Sequence, residues 1–125
     1  MWRVAILEDN APEAASLVRY LEAWEAQTPQ VHLAISTFGD AATFLAEKRP
    51  FDLVFFDIEM PGMNGMQAAR VLRDRSITCP LIFVTSLAQY AVAGYEVGAS
   101  GYLVKPVDWG AFCLRMEAVM RKLEA

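Results

Sequence analysis

The sequence predicts a single α/β domain, spanning residues 1–125, built on a doubly wound parallel sheet. Short continuous apolar runs alternate with longer amphipathic stretches along the chain, which is typical of buried parallel strands joined by right-handed helical crossovers. Four of these apolar runs are followed at once by carboxylate, hydroxyl or ammonium side chains. Ligands of such sheets bind at the carboxyl ends of the strands, so this pattern also predicts where a site would lie.

The first three elements follow from apolar periodicity and from turn residues. Residues 4–7 form a continuous apolar run and predict a buried strand. A helix begins at 11–13, because Pro is tolerated in a first turn and Glu is favoured near the positive end of the helix dipole. Its apolar residues recur at helical spacing until the Thr-Pro pair at 28–29 ends it. A weak alternation over 31–36 predicts a second strand at the edge of the sheet.

The middle of the chain contains a short helix, a buried strand and a longer helix. The short helix begins at 39–40 and ends at 49–50. The four apolar residues of 53–56 predict a strand buried on both faces. A loop rich in Met, Pro and Gly then leads to a helix whose apolar residues face the core. We expect the arginines of that helix to lie on its solvated face: Arg70, Arg73 and Arg75.

The last part of the chain adds two strands and two helices. Residues 81–84 predict a fourth buried strand. The helix predicted over 88–97 is weakly defined, because Gly94 costs about 1 kcal/mol relative to Ala inside a helix. Residues 102–104 form a short fifth strand. Asp108 caps the final helix, whose apolar stripe faces the core.

Five strands alternating with five helices favour the flavodoxin-like fold, with strand order 2-1-3-4-5. That order places Glu8 and Asp9, which follow the first strand, beside Asp57, which follows the third. Thr85 ends the fourth strand, and Lys105 follows the fifth. Each residue alone has an ordinary explanation, as a helix cap, a strand residue or a surface charge. Their occurrence together at four strand ends favours a functional site.

The residue types at these strand ends indicate phosphoryl chemistry assisted by a metal ion. Carboxylates repel one another and need a counter-charge, and a ligand set of oxygen alone favours Mg²⁺ before Ca²⁺. Thr85 and Lys105 can bind two oxygens of a phosphoryl group seated on the metal. Asp57 is then placed to attack phosphorus and hold an aspartyl phosphate.

Composition excludes some functions and indicates a compartment. The net charge of -4 and the pI near 4.9 leave no basic surface, so we expect no direct nucleic-acid binding by this domain. Cys79 and Cys113 lack CxxC spacing, and we expect free thiols in a reducing cytoplasm. Acidic residues follow the amino terminus too soon for a signal peptide, and no apolar run is long enough to cross a bilayer.

Four motifs, in order along the whole chain, resemble the receiver domain of bacterial two-component response regulators. They are the acidic pair Glu8-Asp9, the loop 56–65 around Asp57, the strand end 84–86 and the segment 101–106. The resemblance implies that a sensor histidine kinase phosphorylates Asp57. Such a protein catalyses only its own phosphorylation and dephosphorylation and is otherwise not an enzyme.

The same resemblance implies a ligand set for the metal. Asp9 and Asp57 are implied as Mg²⁺ ligands, Glu8 as a ligand through water, and Glu59 as a ligand through its backbone carbonyl. A cis peptide bond before Pro106 is implied as well.

Residues 90–97, ahead of 102–107, resemble the receivers of LytTR (AlgR-like) transcription regulators, which continue into a DNA-binding output domain. We therefore expect an excised amino-terminal receiver rather than a stand-alone one. The subfamily more often has Ala where this chain has Gly94. The resemblance implies that phosphorylation draws Thr85 toward the phosphoryl group and Tyr102 inward. The face of the fourth helix, fifth strand and fifth helix would then homodimerise.

Three alternatives come from other protein classes. A flavin-binding flavodoxin is disfavoured because its first loop must hold a phosphate, whereas Glu8-Asp9 repels anions without a metal. An aspartyl phosphohydrolase is disfavoured because its Asp-x-Asp pair would follow the first strand. The third alternative, a phosphorylation-independent interaction module on the same scaffold, stays open. His32 could also be interpreted as a phosphocarrier. It lies on the predicted edge strand, far from the acidic residues, and an ordinary surface position explains it better.

Overall fold

A computed structural model, which describes residues 1–125, shows five parallel strands in the order β2-β1-β3-β4-β5. The predicted flavodoxin-like fold and strand order are confirmed. The strands are β1 (Trp2–Leu7), β2 (Leu33–Phe38), β3 (Leu53–Phe56), β4 (Leu81–Thr85) and β5 (Gly101–Val104). The helices are α1 (Ala11–Ala26), α2 (Ala41–Ala46), α3 (Gly65–Asp74), α4 (Ala91–Glu96) and α5 (Trp109–Glu124). None of them combines the length and apolar character needed to cross a membrane.

Successive side chains of the buried strands point to opposite faces of the sheet and form two cores. On one face, Val4, Ile6 and Phe55 pack with residues of α1 and α5. On the other face, Leu7 and Phe56 pack with residues of α2 and α3. Both faces are therefore covered by helices, which explains why the strands are apolar throughout rather than alternating.

The register of the central strands aligns their carboxyl ends. Leu7 of β1 pairs with Phe56 of β3, and Phe56 pairs in turn with Phe83 of β4. Because parallel strands run in one direction, the residues that follow Leu7 and Phe56 leave the sheet at the same level. This alignment, rather than any local motif, brings the acidic pair next to Asp57.

Several elements differ in extent from their predicted bounds, and the largest differences are in β2 and α2. β2 begins at Leu33 rather than at residue 31, because six consecutive pairs with β1, from Trp2↔Leu33 to Leu7↔Phe38, set its length. Val31 is instead buried in the core, with its amide bonded to the carbonyl of Thr28 in a turn. α2 ends at Ala46, because Glu47 already has extended backbone angles.

The predicted helix over 88–97 is divided into a single 3-10 turn, Ala88–Tyr90, and the short α4. Gly94 is buried inside α4, where an added Cβ would lie 3.2 Å from ring atoms of both Phe83 and Tyr102. The glycine thus allows this helix to approach the sheet closely, although it weakens the helix locally.

The arginines of α3 do not all lie on a solvated face, so that prediction was wrong in part. Arg70 is exposed, as expected. The Arg73 guanidinium instead donates hydrogen bonds to four backbone carbonyls at the ends of neighbouring elements: those of Ile77, Cys79, Val97 and Gly98. Arg75, the residue after α3, is exposed as predicted, and its guanidinium donates to the carbonyl of Leu45. The contacts with Val97, Gly98 and Leu45 join segments distant in sequence, which helical periodicity does not reveal.

Candidate functional site

Three carboxylates meet at the carboxyl edge of the sheet. Glu8 and Asp9 follow β1, and Asp57 follows β3. One oxygen from each side chain lies within 4.8 Å of the others. Glu8 and Asp57 are buried, with 7% of each residue exposed, whereas Asp9 is exposed. Buried carboxylates at this spacing need a cation, because two adjacent negative charges in a site of low dielectric repel strongly.

Lys105 supplies a cation to the buried pair. Its Nζ lies 2.5 Å from Oε1 of Glu8 and 2.9 Å from Oδ2 of Asp57. A third carboxylate also contacts it, since Oε2 of Glu13 on α1 lies 2.6 Å away. The Lys105 side chain is only 14% exposed. All three N–H donors of this ammonium group can therefore be engaged by carboxylates.

The two buried carboxyl groups have opposite pKa shifts. Burial raises the pKa of Glu8 to about 7, against the lowering effect of its hydrogen bond with Lys105. Burial also opposes ionisation of Asp57, but the hydrogen bond from Lys105, together with the nearby polar groups of Glu8 and Thr85, outweighs it and lowers the pKa of Asp57. Burial likewise disfavours the charged form of Lys105, yet its carboxylate partners raise its pKa. Asp57 is therefore the carboxylate of this pair that stays ionised, and Glu8 titrates near neutral pH.

The backbone around Asp57 is held on both sides. The amide of Asp57 donates to the carbonyl of Leu7 over 2.9 Å, and its Oδ1 accepts from the amide of Glu59 over 3.2 Å. The amide of Gly65 donates to the carbonyl of Ile58 over 3.1 Å, so the start of α3 packs directly on this loop. The carboxylate is thus carried by a fixed segment of backbone.

A polar cavity of about 410 Å³ lies over the carboxylates. Thr85, which ends β4, is fully buried, and its hydroxyl oxygen accepts a hydrogen bond from the amide of Leu87 over 3.3 Å. Ten residues line the cavity, and only Met60 and Pro61 among them have apolar side chains. They are Glu8, Asp9, Asn10, Glu13, Asp57, Glu59, Met60, Pro61, Ser86 and Lys105.

Two residues of this site were missed by reasoning from the sequence. Asn10, rather than Glu8 or Asp9, caps α1, because its side chain accepts from the amide of Glu13. The amide of Asn10 in turn donates to Oε2 of Glu8. Glu13 was interpreted only as a residue suited to the helix dipole. Its position in the first turn after the acidic pair was the available signal.

Tyr102 lies on β5, away from the carboxylates. Its ring packs against Phe83, with ring centroids 5.9 Å apart, and its hydroxyl donates to the carbonyl of Leu87. The peptide bond between Lys105 and Pro106 is cis, as the resemblance implies.

The donor set fits a hard divalent cation. It contains carboxylate oxygens without imidazole or thiolate, which favours Mg²⁺, and the exposed Asp9 keeps one side of the cluster accessible. Glu59 lies beside these carboxylates in the wall of the same cavity. The predicted site residues at the four strand ends are therefore gathered at one edge of the sheet.

Curated proteins similar to this chain include regulators of different lengths. ArlR of Staphylococcus epidermidis is 32% identical over 124 residues, covering 98% of this chain and 54% of ArlR. The positive alginate biosynthesis regulatory protein of Pseudomonas aeruginosa is 35% identical over 106 residues, covering 82% of this chain and 41% of that protein. PilH of the same organism is 36% identical over 124 residues, covering 96% of this chain and 98% of PilH. The chain thus spans about half the length of the first two and nearly all of PilH.

Solved structures share the fold at lower sequence identity. The response regulatory domain of mrkE from Klebsiella pneumoniae superposes with a TM-score of 0.85 at 21% identity, covering 98% of each chain. Response regulator TrrA of Thermotoga maritima, solved in complex with Mg(2+)-BeF, has a TM-score of 0.76 at 23% identity, covering 95% of this chain and 99% of TrrA.

A family model described as "Response regulator receiver domain" matches residues 4–117, which include all four strand ends that carry the site. The carboxylate cluster, the parallel fold and this match agree with one another. The chain therefore belongs to the receiver domain family of two-component response regulators.

Proposed function

We propose that residues 1–125 form one receiver domain that accepts a phosphoryl group on Asp57 from a sensor histidine kinase. The observation that carries this proposal is the state of Asp57: a buried carboxylate with a lowered pKa, 2.9 Å from an ammonium group and at the wall of a polar cavity. An ionised oxygen is the nucleophile that the reaction needs. The membership in the receiver family supports the same conclusion.

Each residue of the site has a role in the proposed transfer. An oxygen of Asp57 attacks phosphorus, the phosphorus–nitrogen bond of the kinase phosphohistidine breaks, and the electron pair leaves with the imidazole nitrogen. Lys105 and Thr85 bind oxygens of the transferred group. Their contribution is positioning and charge neutralisation, which account for most of the catalysis in phosphoryl transfer.

The proposed cofactor is Mg²⁺, held by Asp9, Asp57 and the backbone carbonyl of Glu59, and by Glu8 through water. When bound, the ion would neutralise the negative charge that the phosphoryl oxygens bring to this acidic cavity. The close spacing of the three carboxylates supports this assignment. So does the TrrA structure, which shares the fold and is a complex with Mg(2+)-BeF.

The test is the intact mass of the protein after incubation with Mg²⁺ and acetyl phosphate or phosphoramidate. We expect one added phosphoryl group on the wild-type protein, and none on Asp57→Asn or when Mg²⁺ is omitted. Fluorine NMR of bound beryllofluoride is the second readout, for a receiver that takes phosphate only from a kinase. Failure of both measurements would contradict the proposal and favour a phosphorylation-independent interaction module on this scaffold.

The proposed response to phosphorylation is a population shift between two packings, in which Thr85 moves toward the phosphoryl group and Tyr102 follows. We propose homodimerisation through α4, β5 and α5, in the cytoplasm, as the outcome. Large apolar side chains exposed on these three elements support this face: Val92, Tyr95, Val104 and Leu114. A LytTR-type DNA-binding output is proposed on the motif residues alone, because the curated relatives include regulators of several kinds.

Thr85→Ala tests the coupling between the site and this face. Beryllofluoride with Mg²⁺ is expected to convert the wild-type protein to a dimer in light scattering and to leave Thr85→Ala monomeric, because the hydroxyl that senses the bound group is gone. Binding of beryllofluoride to the variant, measured by fluorine NMR, is the control. Full dimerisation of Thr85→Ala would show that Thr85 does not transmit the signal.

A further inference from the structure

Three carboxylates contact Lys105, and Glu13 is the one that lies neither at a strand end nor within the four motifs. Its side chain is 46% exposed, against 6% for Glu8 and 7% for Asp57, so it contacts Lys105 from the rim of the site. The contact spans 92 positions of sequence and is as short as those of the buried partners. Glu13 therefore combines direct access to solvent with a direct bond to the ammonium group of the site.

The pair Glu13–Lys105 also forms a wall between two cavities. On one side is the polar cavity over Asp57, and on the other is an apolar cavity of about 300 Å³ between α1 and the loop after β5. These two residues are the only ones that line both cavities. A phosphodonor that occupies the polar cavity consequently shares it with the carboxylate of Glu13.

The charge around the polar cavity is strongly unbalanced. Five carboxylates line it, those of Glu8, Asp9, Glu13, Asp57 and Glu59, against the single ammonium group of Lys105. A dianionic phosphodonor is repelled by each carboxylate in proportion to its own charge. Glu13 adds to this repulsion from the exposed rim of the site, and it also occupies an N–H donor of Lys105 that an incoming phosphoryl oxygen would use.

We propose that Glu13 is a selectivity residue that makes the site discriminate against small anionic phosphodonors. This inference rests on the proposed function of Asp57. In the reaction concerned, an oxygen of Asp57 attacks the phosphorus of acetyl phosphate, the bond between phosphorus and the bridging oxygen breaks, and acetate leaves with the electron pair. Glu13 does not take part in bond making, and it disfavours the approach of the donor.

The experiment compares second-order rate constants for phosphorylation of wild type and Glu13→Gln at pH 7 with Mg²⁺, by intact mass. With acetyl phosphate, a dianion, we expect Glu13→Gln to react about three- to tenfold faster. With phosphoramidate, a monoanion, the gain should be about two- to threefold, because the Coulomb energy scales with donor charge. Added salt should reduce the rate difference between wild type and Glu13→Gln with both donors. Glu13 is half exposed, so ions in solution screen its charge.

Two control variants distinguish the effect of the Glu13 charge on the rates from other effects of a substitution. Glu13→Asp keeps the charge at the rim, so the ratio of its rates with the two donors should stay near that of the wild type. Glu22→Gln removes a negative charge from an exposed position of the same helix, outside the cavity lining, and should change neither rate. A merely structural role of Glu13 would alter the rates with the two donors by the same factor.

Rates of Glu13→Gln equal to or below those of the wild type, or equal gains with both donors, would overturn the inference while leaving the proposed function intact. If neither protein accepts a phosphoryl group from either donor, Glu13 is not what excludes small donors, and the inference also fails. Beryllofluoride binding then decides separately whether the function proposed for Asp57 stands. Phosphorylation of Glu13→Gln alone would be the strongest support.

Discussion

Lys105→Met is expected to destabilise the metal-free protein by about 2–4 kcal/mol and to slow phosphorylation of Asp57 by about two orders of magnitude. Methionine keeps the apolar stem of the side chain and removes the charge. Glu8 and Asp57 are then left buried side by side without the ammonium group that contacts both. Removing one partner from a buried ionic cluster costs more than the cluster itself contributes, because the remaining charges stay desolvated.

The stability of Lys105→Met should depend on pH in a direction that the pKa of Glu8 sets. In the folded wild type the pKa of Glu8 is raised from 4.5 to about 7, so its contribution to stability is fully present below pH 4.5 and is lost as the pH rises through 7. Lys105 lowers this pKa through its hydrogen bond, and the substitution removes that effect. The stability of Lys105→Met should therefore fall more steeply than that of the wild type between pH 5 and pH 8.

Urea unfolding with a chelator and with Mg²⁺ measures both effects. Mg²⁺ should stabilise Lys105→Met more than the wild type, because a divalent cation replaces the lost positive charge. Lys122→Met is the matched control, since Lys122 is exposed, forms no salt bridge and donates one hydrogen bond, to the hydroxyl of Ser100 over 3.1 Å. If the two variants have the same free energy of unfolding without metal, Lys105 does not hold the carboxylate cluster together.

Gly65→Ala should destabilise the protein by about 3 kcal/mol, although alanine is the better helix former by about 1 kcal/mol. A Cβ at this position would lie 2.0 Å from the carbonyl oxygen of Asp57 and 2.8 Å from its carbonyl carbon. It would also lie 3.1 Å from the Cα of Ile58. All three atoms belong to the backbone, so no rotation of a side chain relieves the overlap, and α3 or the loop after β3 must move.

Gly39→Ala is the matched control, because an added Cβ there meets nothing within 4 Å. Thermal or urea unfolding of the two variants gives the difference in stability directly. Since the displaced backbone carries Asp57, the folded fraction of Gly65→Ala should also be phosphorylated at least about tenfold more slowly. Equal stability of the two alanine variants would mean that the start of α3 does not pack on Asp57 as described.

The sequence alone determined the class of the fold, the strand order and the edge at which polar side chains gather. Continuous apolar runs identify buried parallel strands, and parallel strands bring their carboxyl ends to one edge, so the neighbourhood of Glu8, Asp9 and Asp57 follows from topology. Those predictions depend on local composition and on general rules of chain connection.

Only the tertiary structure decided which side chains touch across that edge and where the helices come close to the sheet. The contact of Glu13 with Lys105 joins positions 92 residues apart, and the Arg73 contact with Val97 joins positions 24 apart. Gly65 and Gly94 were turn and helix residues in the sequence, yet each marks a close approach of α3 or α4 to other segments. Such contacts depend on distances of a few ångströms between elements, which periodicity and composition do not encode.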